Sequence, residues 1–124
     1  KWRAWSGWGD EFEKVFPRDM IITNLMLYWV TNSFWSAIRL YSESYYNPWE
    51  FGPGERVEVP TGVAAYPHEL APIVRQRAER YYNVTRFTKF AKGGHFAVHE
   101  RAEEMADDLR AFFRPLRSHA TVRG

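Results

Sequence analysis

The 124 residues suffice for one domain with one hydrophobic core, and 26% charged with 45% hydrophobic residues is a globular composition, not a disordered one. A formal net charge of +2 supplies no field to attract nucleic acid. The absence of cysteine excludes disulfides, thiol nucleophiles and zinc ribbons.

The chain opens on a Trp- and Gly-rich stretch, Lys1 to Asp10, which has no period and is expected to be a loop. It starts without an initiator methionine or a signal-peptide pattern, so a piece of something longer is expected. Pro17 and Asp19 then announce a helix over about Met20 to Val30. Its apolar residues surround the axis, which predicts burial on most sides, and it is too short to span a bilayer. Thr31-Asn32-Ser33 breaks it and offers a cap to a second helix, where Phe34, Trp35, Ile38, Tyr41 and Tyr45 mark one face.

Asn47-Pro48 and Gly52-Pro53-Gly54 end that helix. Val57 to Ala65 alternates and then runs apolar, as a strand buried toward its end does. After the loop Tyr66-Pro67-His68-Glu69, Pro72 suits a first helical turn, and Ile73, Val74, Ala78, Tyr81 and Tyr82 form a stripe. Val84 to Ala91 reads as a second strand. Beyond Gly93-Gly94-His95, a last helix carries Met105, Ala106, Leu109, Phe112 and Phe113 at a 3.6-residue period. The order strand, helix, strand, helix implies parallel strands. Two such strands need a larger sheet, so the rest of it is expected from elsewhere.

Glu69 and His95, 26 positions apart, each follow the C-terminal end of a strand, where sites form in open parallel sheets. A carboxylate beside a histidine fixes its tautomer and stabilises the imidazolium, making a better general base. The plain alternative is two solvated loop residues that never meet. Tyr41 is by default a core tyrosine, although one facing a pocket can donate a proton. His95 and His99 share a helical spacing that metal ligands use, but no Glu follows His95 as in zinc proteases, and no metal is expected. Gly93-Gly94 lacks the Lys-Ser/Thr of a phosphate loop, and no strand precedes Trp8-Gly9-Asp10 to make a nucleophile turn.

Four motifs, in order, carry a resemblance over about Lys1 to Arg117. They are Asn24-Leu25-Met26-Leu27-Tyr28-Trp29, Ile38-Arg39-Leu40-Tyr41, Val59-Pro60-Thr61-Gly62 with Tyr66-Pro67-His68-Glu69-Leu70, and Gly93-Gly94-His95-Phe96. Together they resemble the C-terminal third of a microsomal-type epoxide hydrolase. The resemblance implies a partial α/β-hydrolase fold, with cap helices in residues 1–54 and the last two parallel strands and flanking helices in 55–124. It implies His95 as the base that activates water, Glu69 as the acid that orients it, and Tyr41 as one of two tyrosines that protonate the opening epoxide. The Asp nucleophile, the second tyrosine and the oxyanion segment have no counterpart here, so the N-terminal portion of the enzyme is the implied partner and the 124 residues alone are expected to be inert.

The aromatic cap, with Trp29 and Trp35 beside Phe34 and Tyr45, and Phe96 next to the base, is expected to bind a bulky apolar epoxide without cofactor or metal. Another cap-bearing hydrolase, a haloalkane dehalogenase or an esterase, would keep Glu69 and His95 without needing Tyr41. A non-catalytic interaction module is the other alternative. A cytoplasmic location is expected, with a membrane anchor and a homodimer left open.

Overall fold

A computed structural model describes residues 1–117 of the chain. In order the elements are α1 (Trp2–Trp5), a 3-10 turn (Gly9–Glu11), α2 (Phe12–Val15), α3 (Arg18–Val30), α4 (Phe34–Tyr46), β1 (Val57–Ala65), α5 (Arg75–Tyr81), β2 (Tyr82–Lys89), α6 (Ala97–Glu100) and α7 (Ala102–Arg117). They fall into two compact units. One joins Lys1–Val15 to the chain from Arg56 onward, and the other is Phe16–Glu55.

The first unit is built on a parallel pair of strands, β1 and β2, in register from Gly62↔Arg86 to Ala65↔Lys89. The register slips between Val57 and Pro60, where proline has no N–H for the ladder, and the Asn83 side chain donates to the Glu58 carbonyl at 2.9 Å. Side chains alternate across the sheet. Arg86 and Thr88 reach Asp108 of α7 at 2.7 and 2.6 Å, while Phe87, on the opposite face, lies under the Arg75 guanidinium of α5. Helices therefore cover both faces. Because its Asp108 side chain is only 11% exposed, the Arg86–Asp108 pair holds α7 more firmly than the exposed pairs Arg75–Glu79 and Arg110–Asp107 hold anything, each worth about 0.3–0.5 kcal/mol. On β1, α7 packs at Gly62, where a Cβ would stand 2.9 Å from the Phe112 ring.

Several elements differ from the sequence expectation. Residues 1–10, expected as a loop, contain α1, closed by the Trp5 N–H to the Lys1 carbonyl at 2.9 Å. A single turn has no period to display, so the pattern misses it. The last helix is split at Arg101 into α6 and α7. Helix α5 starts at Arg75, because Ile73 and Val74 are β-branched and Val74 is extended. Tyr82, counted in its stripe, is the first residue of β2, which ends at Lys89 instead of Ala91. The carboxyl end of β1 is half-buried.

In the second unit Pro17 precedes α3, and its carbonyl accepts from Met20 and Ile21. Asn32 adopts φ +50, a conformation asparagine tolerates, and turns the chain into α4. Ser33 stands at the N-cap, but its hydroxyl meets Thr31 at 2.7 Å instead of a helix N–H. The burial expected for α3 does not occur: Leu25, Leu27, Trp29 and Val30 are mostly exposed. Its apolar side chains point outward all round, and α4, the other long helix of the unit, does not pack along it.

Gly62→Ala is expected to lower the urea midpoint of the chain, at a cost of about 1–3 kcal/mol from overpacking against Phe112. Adding Phe112→Leu should recover part of that loss, and equal midpoints for the single and double variants would place the strain elsewhere.

Candidate active site

The parallel ladder does not stop where the strands do. The Phe90 N–H donates to the Ala65 carbonyl at 2.9 Å, and the His68 N–H donates to Gly93 at 3.1 Å, making one further parallel bridge between His68 and Gly94. Glu69 and His95 each lie one residue past that bridge, so their side chains leave the paired backbones as neighbours. Glu69 Oε1 and His95 Nδ1 are 2.8 Å apart.

The bridge requires two glycines for different reasons. Gly93 has φ +103, and a Cβ there would lie 2.9 Å from both Arg101 and Tyr66. Gly94 lets the backbone pass so close that a Cβ would stand 2.5 Å from the Trp5 carbonyl oxygen. That carbonyl accepts the His95 N–H at 2.9 Å, and the Trp5 indole meets the imidazole edge-on, 5.0 Å between centroids. Residues 1–15, grouped with the cap in the sequence reading, are thus bonded to the turn that carries His95. Phe96 stacks flat on Trp2 at 4.4 Å.

Burial raises the Glu69 carboxyl, but the His95 hydrogen bond, the Leu70 N–H at 2.8 Å on the same oxygen and the imidazolium charge outweigh it, holding the group below the usual carboxylate range. An ionised Glu69 only accepts, so Nδ1 carries the proton of this bond, and in the neutral form of the ring Nε2 keeps its lone pair. Behind the pair, Tyr66 is stacked on Phe90 at 4.4 Å with its hydroxyl 3.5 Å from Met105 Sδ. Burial first, then the charges of Asp108, Glu104 and Glu100, push its phenol above the ordinary tyrosine value. An open cleft of about 360 Å³ is lined by Glu69, His95, Phe96, Tyr66, His99 and Met105 among others.

Of the residues singled out from sequence, the first unit brings Glu69, His95 and Phe96 together. Tyr41, Trp29 and Trp35 belong to the second unit, on α4 and α3, where each exposes most of its surface. His99 lies 6.0 Å from Trp2, and among the described residues no group of three or more His, Asp or Glu could hold a metal ion. Nor, among them, is any helix long and apolar enough to cross a membrane. Sequence reasoning passed over Trp2, Trp5 and Glu100. The signal for Glu100 is its place in the first turn after Phe96, from which a glutamate reaches back to the N-cap amide, one position beyond the site a capping box uses.

No protein-family model matches the chain. It is 35% identical to epoxide hydrolase 1 of Sus scrofa over 103 residues, 81% of this chain and 23% of that protein. With juvenile hormone epoxide hydrolase 2 of Ctenocephalides felis it shares 34% over 113 residues, 86% of this chain and 24% of the relative. The solved structure of Aspergillus niger epoxide hydrolase superposes with a TM-score of 0.69 at 29% identity, covering 93% of this chain and 28% of that one. The chain therefore spans about a quarter of the length of the curated relatives it matches, somewhat less than the third expected. Its helices and two parallel strands are part of the α/β-hydrolase fold.

Because Glu69 is held below its unfolded value of about 4.3, it contributes stability above that pH and loses it as pH falls through the folded value. Denaturant titrations at stepped pH should show Glu69→Gln less stable than the parent near neutrality, with the difference closing in acid. A constant difference at every pH would mean that the carboxylate charge contributes nothing.

Proposed function

We propose that this chain, related to the epoxide hydrolases along nearly its whole length and sharing part of their α/β-hydrolase fold, supplies the base, its orienting acid and one ring-opening tyrosine of such an enzyme. The observation that carries the reading is the 2.8 Å contact between Glu69 and His95 at the carboxyl ends of adjacent parallel strands.

In the proposed reaction an Asp carboxylate from the N-terminal portion of the enzyme attacks an epoxide carbon. The C–O bond breaks as the Tyr41 phenol gives its proton to the departing oxygen, leaving a hydroxyalkyl ester. An epoxide is a poor electrophile until its oxygen meets such a donor, and the covalent step divides one difficult displacement into two easier ones. His95 Nε2 then takes a proton from water, whose oxygen attacks the ester carbonyl. Glu69 stabilises the imidazolium that forms. Collapse frees the vicinal diol and regenerates the carboxylate, and the proton held by the imidazolium returns to the Tyr41 phenolate; epoxide plus water balances diol. Trp29, Trp35 and Phe96 favour a bulky apolar substrate by offering aromatic surface. Residues of the second unit take the part of the cap, and no cofactor or metal enters the chemistry.

In the complete enzyme carrying this sequence, His95→Gln should lower kcat about a hundredfold or more and let the ester accumulate, detectable as added mass on the protein. Tyr41→Phe should instead slow ring opening of an aryl epoxide and leave ester hydrolysis intact. Unchanged turnover in both variants would overturn the proposal. Loss in His95→Gln alone would favour a hydrolase that makes no use of the phenol.

A further inference from the structure

Among the described residues Glu100 is the one charged residue that is buried, at 6% exposure. A carboxylate taken out of water is retained where hydrogen bonds replace its hydration. Here both donors are backbone amides: Oε1 accepts from Phe96 and Oε2 from Gly7, each at 3.1 Å. Phe96 is the residue after His95. Gly7 is two residues after Trp5, whose carbonyl accepts the His95 N–H at 2.9 Å. The two amides that flank the His95 Cα are therefore both engaged, one by Trp5 and the other by Glu100. The second oxygen of the same carboxylate ties down the segment that carries Trp5. The loop of bonds closes on itself around the histidine.

We propose that Glu100 is a positioning residue for His95, a clasp that fixes the backbone on both sides of the imidazole while Glu69 fixes its ring. The inference rests on the reading of His95 as the base of ester hydrolysis. A strand-to-helix turn with free amides leaves its residue several backbone conformations, and only some of them keep Nδ1 on Glu69. In the proposed reaction the imidazole acts in the second step alone. Loosening the clasp therefore acts on ester hydrolysis and spares ring opening. A general loss of packing has no reason to separate the two steps.

Single-turnover kinetics of the complete enzyme with an aryl epoxide read those steps separately. Glu100→Gln keeps the shape but turns one acceptor into an NH₂ donor facing an N–H, so one of the two bonds is lost. The expected result is ester hydrolysis slowed about ten- to a hundredfold with ring opening within about twofold of the parent, so that ester builds up. Glu100→Asp keeps the charge but is one methylene too short to reach both amides. It is expected to show the same split, and it stands in should the Gln variant not fold. Equal slowing of both steps, or ester hydrolysis at the parent rate, overturns the clasp. His95→Gln is the reference. If it accumulates ester and neither Glu100 variant does, the clasp alone fails; if it accumulates none, the reading of the base fails and takes the clasp with it.

Discussion

One backbone pairing beyond the strand ends, His68 with Gly94, governs the geometry of the first unit. Without it Glu69 and His95 would sit on two independent loops, each free to place its side chain in solvent. With it, the residues immediately following the bridge are set side by side, and a 2.8 Å contact results from register instead of from side-chain search. The requirements propagate outward. The chain must turn through a left-handed residue at Gly93, leave no Cβ at Gly94, and admit the Trp5 carbonyl against the turn. Helix α7 is held to the same sheet at Asp108 and Gly62, so the edge that displays the pair is backed on the far side of β1 and β2 from α5.

Two carboxylates flank this turn, and their surroundings assign them different work. Glu69 is partly exposed and paired with a ring that changes charge, so its ionisation responds to the histidine. Glu100 is buried, and its two oxygens accept from backbone amides and hold the backbone in place. Aromatic packing adds a third constraint: Trp2 lies flat on Phe96 and Trp5 stands edge-on to His95.

The parts of this arrangement legible in the sequence are those with local signals. Alternation in Val57–Ala65, the period of Met105 to Phe113 and the double glycine before His95 each report on their own segment. A parallel crossover places the ends of successive strands at one edge, which is why the sequence alone pairs two residues 26 apart. What was not legible depends on packing between segments distant in sequence. The Trp-rich start is helical because Gly7 and Trp5 are bonded to the turn 90 or so residues later, information that no window over residues 1–10 contains. The exposure of α3 is likewise invisible to hydropathy, since apolar residues report what a helix is able to bury, not what its neighbours cover. Tyr41, carried by a different unit from His95, owes its proposed role to family resemblance, because its helical stripe reads as core.

The division of the chain has a consequence for how such proteins diversify. Residues 16–55 leave the first unit after Val15 and rejoin it at Arg56, an excursion with both anchorages in one scaffold. The entropy of closing such an excursion grows only slowly with its length. Helices can be extended, trimmed or exchanged between the two anchor points while the bridge, the glycines and the paired side chains stay untouched. In the proposed function, substrate preference and the ring-opening Tyr41 fall on one stretch of the polypeptide and the base with its orienting acid on another, so natural variation can revise the first without rewriting the second.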